Sequence, residues 1–386
     1  NSYSRSKIKK SSRLDSKTFI NEVSEDIATL KGRVDTLEVQ QNEFEAGGFS
    51  DTTTLDGKVN FTVGALSYDG SGTDTVSNES TLFQYTWTGN LNTSFTGDDN
   101  LYVRLKTGNA GSWTKDKDHG TYLSSAKGNS NILKVDKIWY SFPVGDYNTV
   151  WVGPKIENYY MHGTTPSIYK PVTKQFTLGG NGDAYGASTD SGAGWAYKAD
   201  NGFAISSNVV SKQNLSATKG LLTNQAKTSW ATQAGYTTDQ WSVSAILNQK
   251  YNGWTDGYYE SKQHTSSNFT EGVTNFTAVG LRTWWRPAET GTATPSVSLG
   301  FDTTKYDSAP GASDESTAYF VGLTWQDMFQ ADDRIGVAFG QPTTNEDETT
   351  DPFAYEAYYS FKANDSVTIT PTVFGGSDRN GTSGQD

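Results

Sequence analysis

Three histidines, His119, His162 and His264, are the side chains in this sequence best suited to metal binding or general-base work. No converging partner recurs beside them at ligand spacing, and all three fall in polar stretches, so surface loop histidine is the simpler reading. The run GGNGDAYG at 179–186 has the glycines of a phosphate-cradling loop. It lacks the Lys-Ser/Thr ending and a subsequent helical pattern, and reads as a turn inside a long loop. The pairs Asp98-Asp99 and Asp332-Asp333 sit in turns, where adjacent side chains do not face a common site. Paired glycosidase acids far apart in sequence stay open. There is no cysteine, which removes disulfides, thiolate metal sites and a cysteine nucleophile. The sequence thus offers no catalytic, metal or cofactor constellation, and the chain reads as a non-enzyme. The chemistry that is left lies in charged residues alternating with apolar ones: Arg104, Lys106, Arg282 and Glu356.

The elements that would carry those charges are strands. From residue 49 onward the hydrophobic period is two, as in Val59-Phe61-Val63, Leu101-Val103-Leu105, Trp241-Val243-Ala245-Leu247 and Tyr355-Ala357-Tyr359-Phe361. About fifteen such segments succeed one another, the last being Val367-Ile369-Val373. Long and short connections alternate without a break. In an up-and-down meander that places every long loop at one end, the asymmetry of a transmembrane barrel. A barrel of about sixteen strands has a lumen too wide for side chains to fill, so its polar face meets water and its apolar face meets lipid. The fold class expected is all-β: a transmembrane antiparallel up-and-down β-barrel, a 16-strand design with about 15 strands present, preceded by a short coiled-coil helix. Its partner is then outer-membrane lipid.

Before residue 49 the pattern differs. Residues 1–22 are basic and read as a solvated tail, and 23–46 carry an a/d stripe of Val23, Ile27, Leu30, Val34 and Leu37, which reads as either a lone amphipathic helix or a short oligomerising coiled coil. Residues 49–386 form the barrel. The polar run at 375–386 carries no strand, and fifteen strands would leave a parallel seam, so the expectation is that the closing strand is missing. The formal net charge of -12 argues against nucleic acid. No run approaches the 18 or so apolar residues of a membrane-spanning helix.

Several segments carry a family resemblance: 52–65 (TTTLDGKVNFTVGA), 91–111, 176–194, 249–259 (QKYNGWTDGYY), 319–342 and 355–371. Together they resemble the cyanobacterial outer-membrane porins, often labelled iron-uptake porins and related to the carbohydrate-selective OprB-type family. The resemblance spans nearly everything after residue 49 and is specific through its extent. It implies a homotrimer, and a surface-layer-homology domain with peptidoglycan anchoring ahead of the coiled coil. KGRVDTLE at 31–38 resembles the end of that coiled coil, whereas the residues before 23 do not look like the anchoring domain.

The function expected is passive diffusion of small hydrophilic solutes or ions, with inorganic iron or carbohydrate as the solutes the family labels suggest. The alternative is a secreted or surface β-rich binding or adhesion protein without a channel. Arg104, Lys106, Arg282 and Glu356 are expected to line the pore. The stretch 157–192 is long enough to be functional. Part of it, around Tyr159-Tyr160 and 176–185, is expected to enter the lumen and narrow it through Glu157, Tyr159, Tyr160, Asp183, Tyr185 and Asp190, its acids facing the basic wall; the alternative is a loop that projects outward.

Overall fold

Alternation becomes strand wherever one face can be apolar throughout, and the apolar face points outward. On the strand Trp241–Tyr251, Trp241, Val243, Ala245 and Leu247 are exposed, while Ser242, Ser244, Ile246 and Asn248 are buried. This is the reverse of a water-soluble fold and suits lipid outside and polar groups inside.

The computed structural model describes residues 31, 52–68, 80–115, 120–180, 182–185, 189–212, 220–221, 223–254, 275–307, 314–378, 383–384 and 386. The chain divides into two units, 1–55 and 56–386. In the first, Lys31 is helical, and the basic segment 1–22 and heptad positions Val23, Ile27, Leu30, Val34 and Leu37 lie outside the described residues. The body of the sheet belongs to the second.

The strands are β1 (Thr53–Gly64), β2 (Leu82–Thr93), β3 (Asn100–Gly108), β4 (Lys134–Val144), β5 (Asn148–Glu157), β6 (Thr189–Lys198), β7 (Phe203–Ser211) and β8 (Thr228–Thr237). They continue with β9 (Trp241–Tyr251), β10 (Asn275–Trp285), β11 (Ser296–Asp307), β12 (Glu315–Gln326), β13 (Arg334–Asn345), β14 (Phe353–Asn364), β15 (Val367–Ile369) and β16 (Thr372–Ser377). Each hydrogen-bonds to its sequence neighbour through β15, and β16 returns to β14. Registers match like with like: outward Leu247 faces Val279 across β9 and β10, and inward Asn248 faces Ala278.

The last two strands share one register on β14, with Ile369 opposite Phe361 and Thr372 opposite Tyr358. Tyr359 N–H still donates to the Pro371 carbonyl at 3.1 Å between them. They are one strand interrupted where Pro371 has no N–H to give. Sixteen named strands therefore fill fifteen positions, in agreement with the fifteen alternating segments. Among the described residues the ladder begins at β1 and ends at β15 and β16. Trp113, from the β3–β4 connection, packs against Phe374 of β16 with ring centroids 5.8 Å apart. Its indole also lies 3.0 Å from where a Cβ on Gly64 of β1 would sit.

The second aspartate of each pair is a turn lock. Asp99 accepts from Ser94 Oγ and the Phe95 and Thr96 amides, each at 2.8 Å, and from the Tyr140 hydroxyl at 2.6 Å. That hydroxyl, with the turn donors, holds the Asp99 carboxyl well below the usual carboxylate range. Asp333 does the same, taking the amides of Met328, Phe329 and Gln330 and the Tyr359 hydroxyl.

Candidate functional site

The site is built where two long connections meet the inward face of the sheet. The connection 158–188, described at 158–180 and 182–185, leaves β5 and passes beside β7, where Asn208 Nδ2 stands 3.3 Å from His162 Nδ1. On β8, Gln233 accepts from the Thr164 amide at 2.8 Å and donates to the Tyr185 hydroxyl at 2.7 Å. Asn248 of β9 donates to the Ala184 carbonyl at 3.1 Å, and Trp284 of β10 to the Thr165 carbonyl at 3.1 Å. Ser298 of β11 accepts from the Ile168 amide at 3.2 Å. Glu356 of β14 accepts from the Tyr169 hydroxyl, the Val172 and Thr173 amides and the Thr173 hydroxyl, at 2.6–3.1 Å. Fifteen strand positions laid flat would extend about 70 Å at roughly 4.8 Å each. Trp113 nonetheless lies against both Phe374 of β16 and Gly64 of β1, so the sheet curls back on itself.

The connection between β3 and β4 joins it from the other side. Leu123 and Thr173 form an isolated antiparallel bridge, the Lys174 amide donates to the Tyr122 carbonyl at 2.7 Å, and the Ser124 amide donates to the Val172 carbonyl at 2.8 Å. The two loops thus pair backbone to backbone inside the barrel.

On the β3–β5 side the interior is ionic. Arg104 lies 2.6 Å from Asp136 and 3.5 Å from Glu157, Lys127 is 2.8 Å from Asp136, and Lys137 is 2.9 Å from Glu157. The Tyr159 hydroxyl also donates to Glu157, at 2.5 Å. Burial, with Glu157 beside it, pushes the Tyr159 phenol well above its ordinary range. Tyr102, Trp139 and Tyr160 pack next to these charges, with Tyr102 to Trp139 at 4.3 Å and Trp139 to Tyr160 at 4.7 Å between centroids. Tyr160 keeps 38% of its surface exposed.

The expected pore residues fall into two groups. Arg104 and Lys106 are partly exposed on the inward face. Arg282 and Glu356 face inward as well, but loop 158–188 covers them and leaves them 2% and 1% exposed, so they hold the loop rather than meet water. Arg282 pairs with Asp302 at 2.6 Å, donates to the Leu178 carbonyl at 2.9 Å, and places its guanidinium 4.5 Å from the Tyr185 ring centroid. Of the acids expected to face the basic wall, Glu157 does so. Asp183 instead accepts from Tyr306 at 2.6 Å, because Arg282 is already satisfied by its neighbour on β11. Asp190 lies on β6, so the loop ends earlier than the sequence suggested. His162 is buried, and burial pushes its imidazole down to about 3. His119 and His264 lie outside the described residues. Among those described, no group of three or more His, Cys, Asp or Glu is placed to hold a metal ion.

Sequence reasoning missed Asp136 and Lys137, which are adjacent and yet both meet the same cluster. The register shifts at Arg104, which faces Lys137, while Leu105 faces Val135. Asp136 is the extra residue of a β-bulge, and a bulge breaks the alternation on which the inward set was chosen. It also missed the 109–133 connection, where the one available signal was Trp113 in a polar stretch, now 1% exposed.

A curled antiparallel sheet with lipid-type side chains outside, polar ones inside and long loops folded within defines an outer-membrane porin barrel. The profile of the carbohydrate-selective porin, OprB family, matches residues 12–374, and the chain belongs to that family, whose place is the bacterial outer membrane. An uncharacterized protein of Nostoc sp. is 26% identical over 400 residues, covering 91% of this chain; the chain spans 66% of that relative's length. Among solved structures, the high-pH form of Pseudomonas putida OprB superposes with a TM-score of 0.58 at 12% identity, covering 90% of this chain and 93% of that one. In-vitro folded OmpT of Vibrio cholerae, in its trimer form, gives 0.50 at 11% identity, covering 85% and 89%. At these identities the likeness concerns the fold alone.

Proposed function

We propose that the chain forms a water-filled channel for passive diffusion of small hydrophilic solutes, carbohydrate among them, with loop 158–188 and the 109–133 connection narrowing it. The observation that carries the reading is the inverted facing: Ser206, Ser229, Gln233 and Asn248 are each fully buried on the inner face, while Val209, Trp230 and Leu247 are exposed on the outer. A binding or adhesion protein has no use for that inversion. The partly exposed rings of Tyr102 and Tyr160 beside Arg104 support passage of sugars, which stack on rings and hydrogen-bond to charges. The family match supports the carbohydrate class; for inorganic iron no comparable feature supports a site. In the same proposal the heptad stripe at 23–46 forms a coiled coil in a homotrimer, and peptidoglycan anchoring needs a domain other than these residues. Purified folded protein in planar bilayers should give single-channel steps, and liposomes carrying it should swell in glucose faster than in a large oligosaccharide. Folded protein that gives neither steps nor swelling sinks the reading.

A further inference from the structure

We propose that the β3–β4 wall is a binding site for an oxyanion group, carboxylate or phosphate, carried by a small hydrophilic solute. The inference rests on the channel reading for how such a solute arrives, and on the charge balance at the wall for why it stops there.

Among the described residues the cluster holds four cations, Arg104, Lys106, Lys127 and Lys137, against two carboxylates, Asp136 and Glu157. Every carboxylate oxygen is already engaged. Asp136 gives one to Lys127 and the other to Arg104, and Glu157 gives one to Lys137 and the other to Arg104 and the Tyr159 hydroxyl. Lys106 stands half-buried on the same face, next to Arg104 in the inward row, and no acid among the described residues pairs with it. Across the lumen, the described acids Asp302, Asp183 and Glu356 each have their own local partners. Asp302 is held by Arg282, Asp183 by Tyr306, and Glu356 by four donors from the loop.

Fixed cations in a narrow, partly desolvated wall lower their mutual repulsion by taking up an anion. Beside them the exposed Tyr160 ring, its hydroxyl 3.5 Å from Arg104 Nη1, offers a face to the rest of the solute. An oxyanion on a hydroxylated ring or chain fits both features at once.

The test uses the full chain. In planar bilayers under a potassium chloride gradient, the reversal potential should report chloride preference, and millimolar inorganic phosphate or gluconate should reduce the chloride current where glucose does not. Comparing phosphate with gluconate separates the two oxyanion chemistries. K106E should weaken the phosphate block about tenfold, the loss of roughly one charge-assisted contact, and shift the reversal potential toward potassium. K106Q should do so by less, and K362E at the short-turn rim should leave both unchanged. Calorimetric titration of the detergent-folded protein with phosphate, at low ionic strength where screening is weak, measures the site without conduction. Potassium preference in the native chain, or phosphate binding unchanged in both Lys106 variants, overturns the proposal. Absence of single-channel steps together with phosphate binding that K106E abolishes would remove the channel reading and keep the site.

Discussion

Residue by residue, the interior is held by polar groups whose partners come from the loops, so single substitutions act on loop docking before they act on the barrel. His162 is the most direct case. Its folded pKa is pushed down to about 3 by burial, whereas an unfolded or undocked imidazole titrates near 6.5. Between those values the undocked state binds the proton and the docked state does not. Docking is therefore at full strength above about pH 6.5 and weakens as pH falls, by about 1.4 kcal/mol per unit. Open-channel current noise should rise between pH 7 and pH 5, and His162→Asn should flatten that dependence. Glu356 gives a second test, because its carboxylate serves four donors and no cation among the described residues pairs with it. In Glu356→Gln an amide NH2 must face buried donors, at about 1–3 kcal/mol for the unsatisfied group. Trypsin should then cut after Lys174 in folded protein, where the native chain resists; equal resistance would show that the carboxylate is not what fixes the loop.

Among the elements, the strands and their facing were legible in the sequence and the interior contacts were not. Period two reports which side of a strand a residue occupies, and it did so correctly for Arg104, Lys106, Arg282 and Glu356. It cannot report what stands opposite. Arg282 reads as a wall charge in one dimension and is a buried loop anchor in three, because Asp302 lies one strand over and Leu178 is about a hundred residues away in sequence. The bulge at Asp136 was invisible for a different reason: an inserted residue looks like imperfect alternation until the partner strand is known. Loop length pointed to 157–192, whose ends the structure assigns to β5 and β6, and no sequence signal pointed to its backbone pairing with the β3–β4 connection. The closeness of that loop to the wall supplies an element-scale prediction. A Cβ on Gly300 of β11 would collide with the backbone carbonyl of Gly179, and one on Gly182 would lie 2.5 Å from the Asp302 carboxyl carbon. Gly300→Ala should push the 178–185 segment off the wall without breaking the β10–β11 ladder. If that segment narrows the lumen, conductance rises in Gly300→Ala and in a deletion of 179–186. Unchanged conductance in both would place the constriction elsewhere.

For the molecule as a whole, stability depends on which solvent meets which face. Phe61, Phe83, Leu281 and Phe301 are 72%, 72%, 53% and 45% exposed, a continuous apolar exterior that no soluble monomer carries. The inner face instead buries serines, asparagine and glutamine with their hydrogen bonds made to loop backbone and to each other. Composition reflects this inversion, since a chain only 34% hydrophobic cannot build a conventional core but can coat one side of a barrel. The strands β1 to β14, nine to twelve residues each, also match the tilted crossing of an apolar band about 25 Å tall. The same charge should therefore have different costs on the two faces of one strand. Leu281 and Arg282 are neighbours on β10, one outward and one inward. Leu281→Arg places a guanidinium against acyl chains and should destabilise the barrel by about 2–4 kcal/mol if the position lies near mid-depth. The native Arg282, one residue away, is tolerated because Asp302 pairs with it. Urea unfolding in phospholipid vesicles, followed by tryptophan fluorescence, measures the difference. In a detergent with a thin, fluid micelle the same substitution should cost less, because the charge reaches water sooner. A Leu281→Arg protein as stable in vesicles as the native chain would mean that this face does not contact lipid.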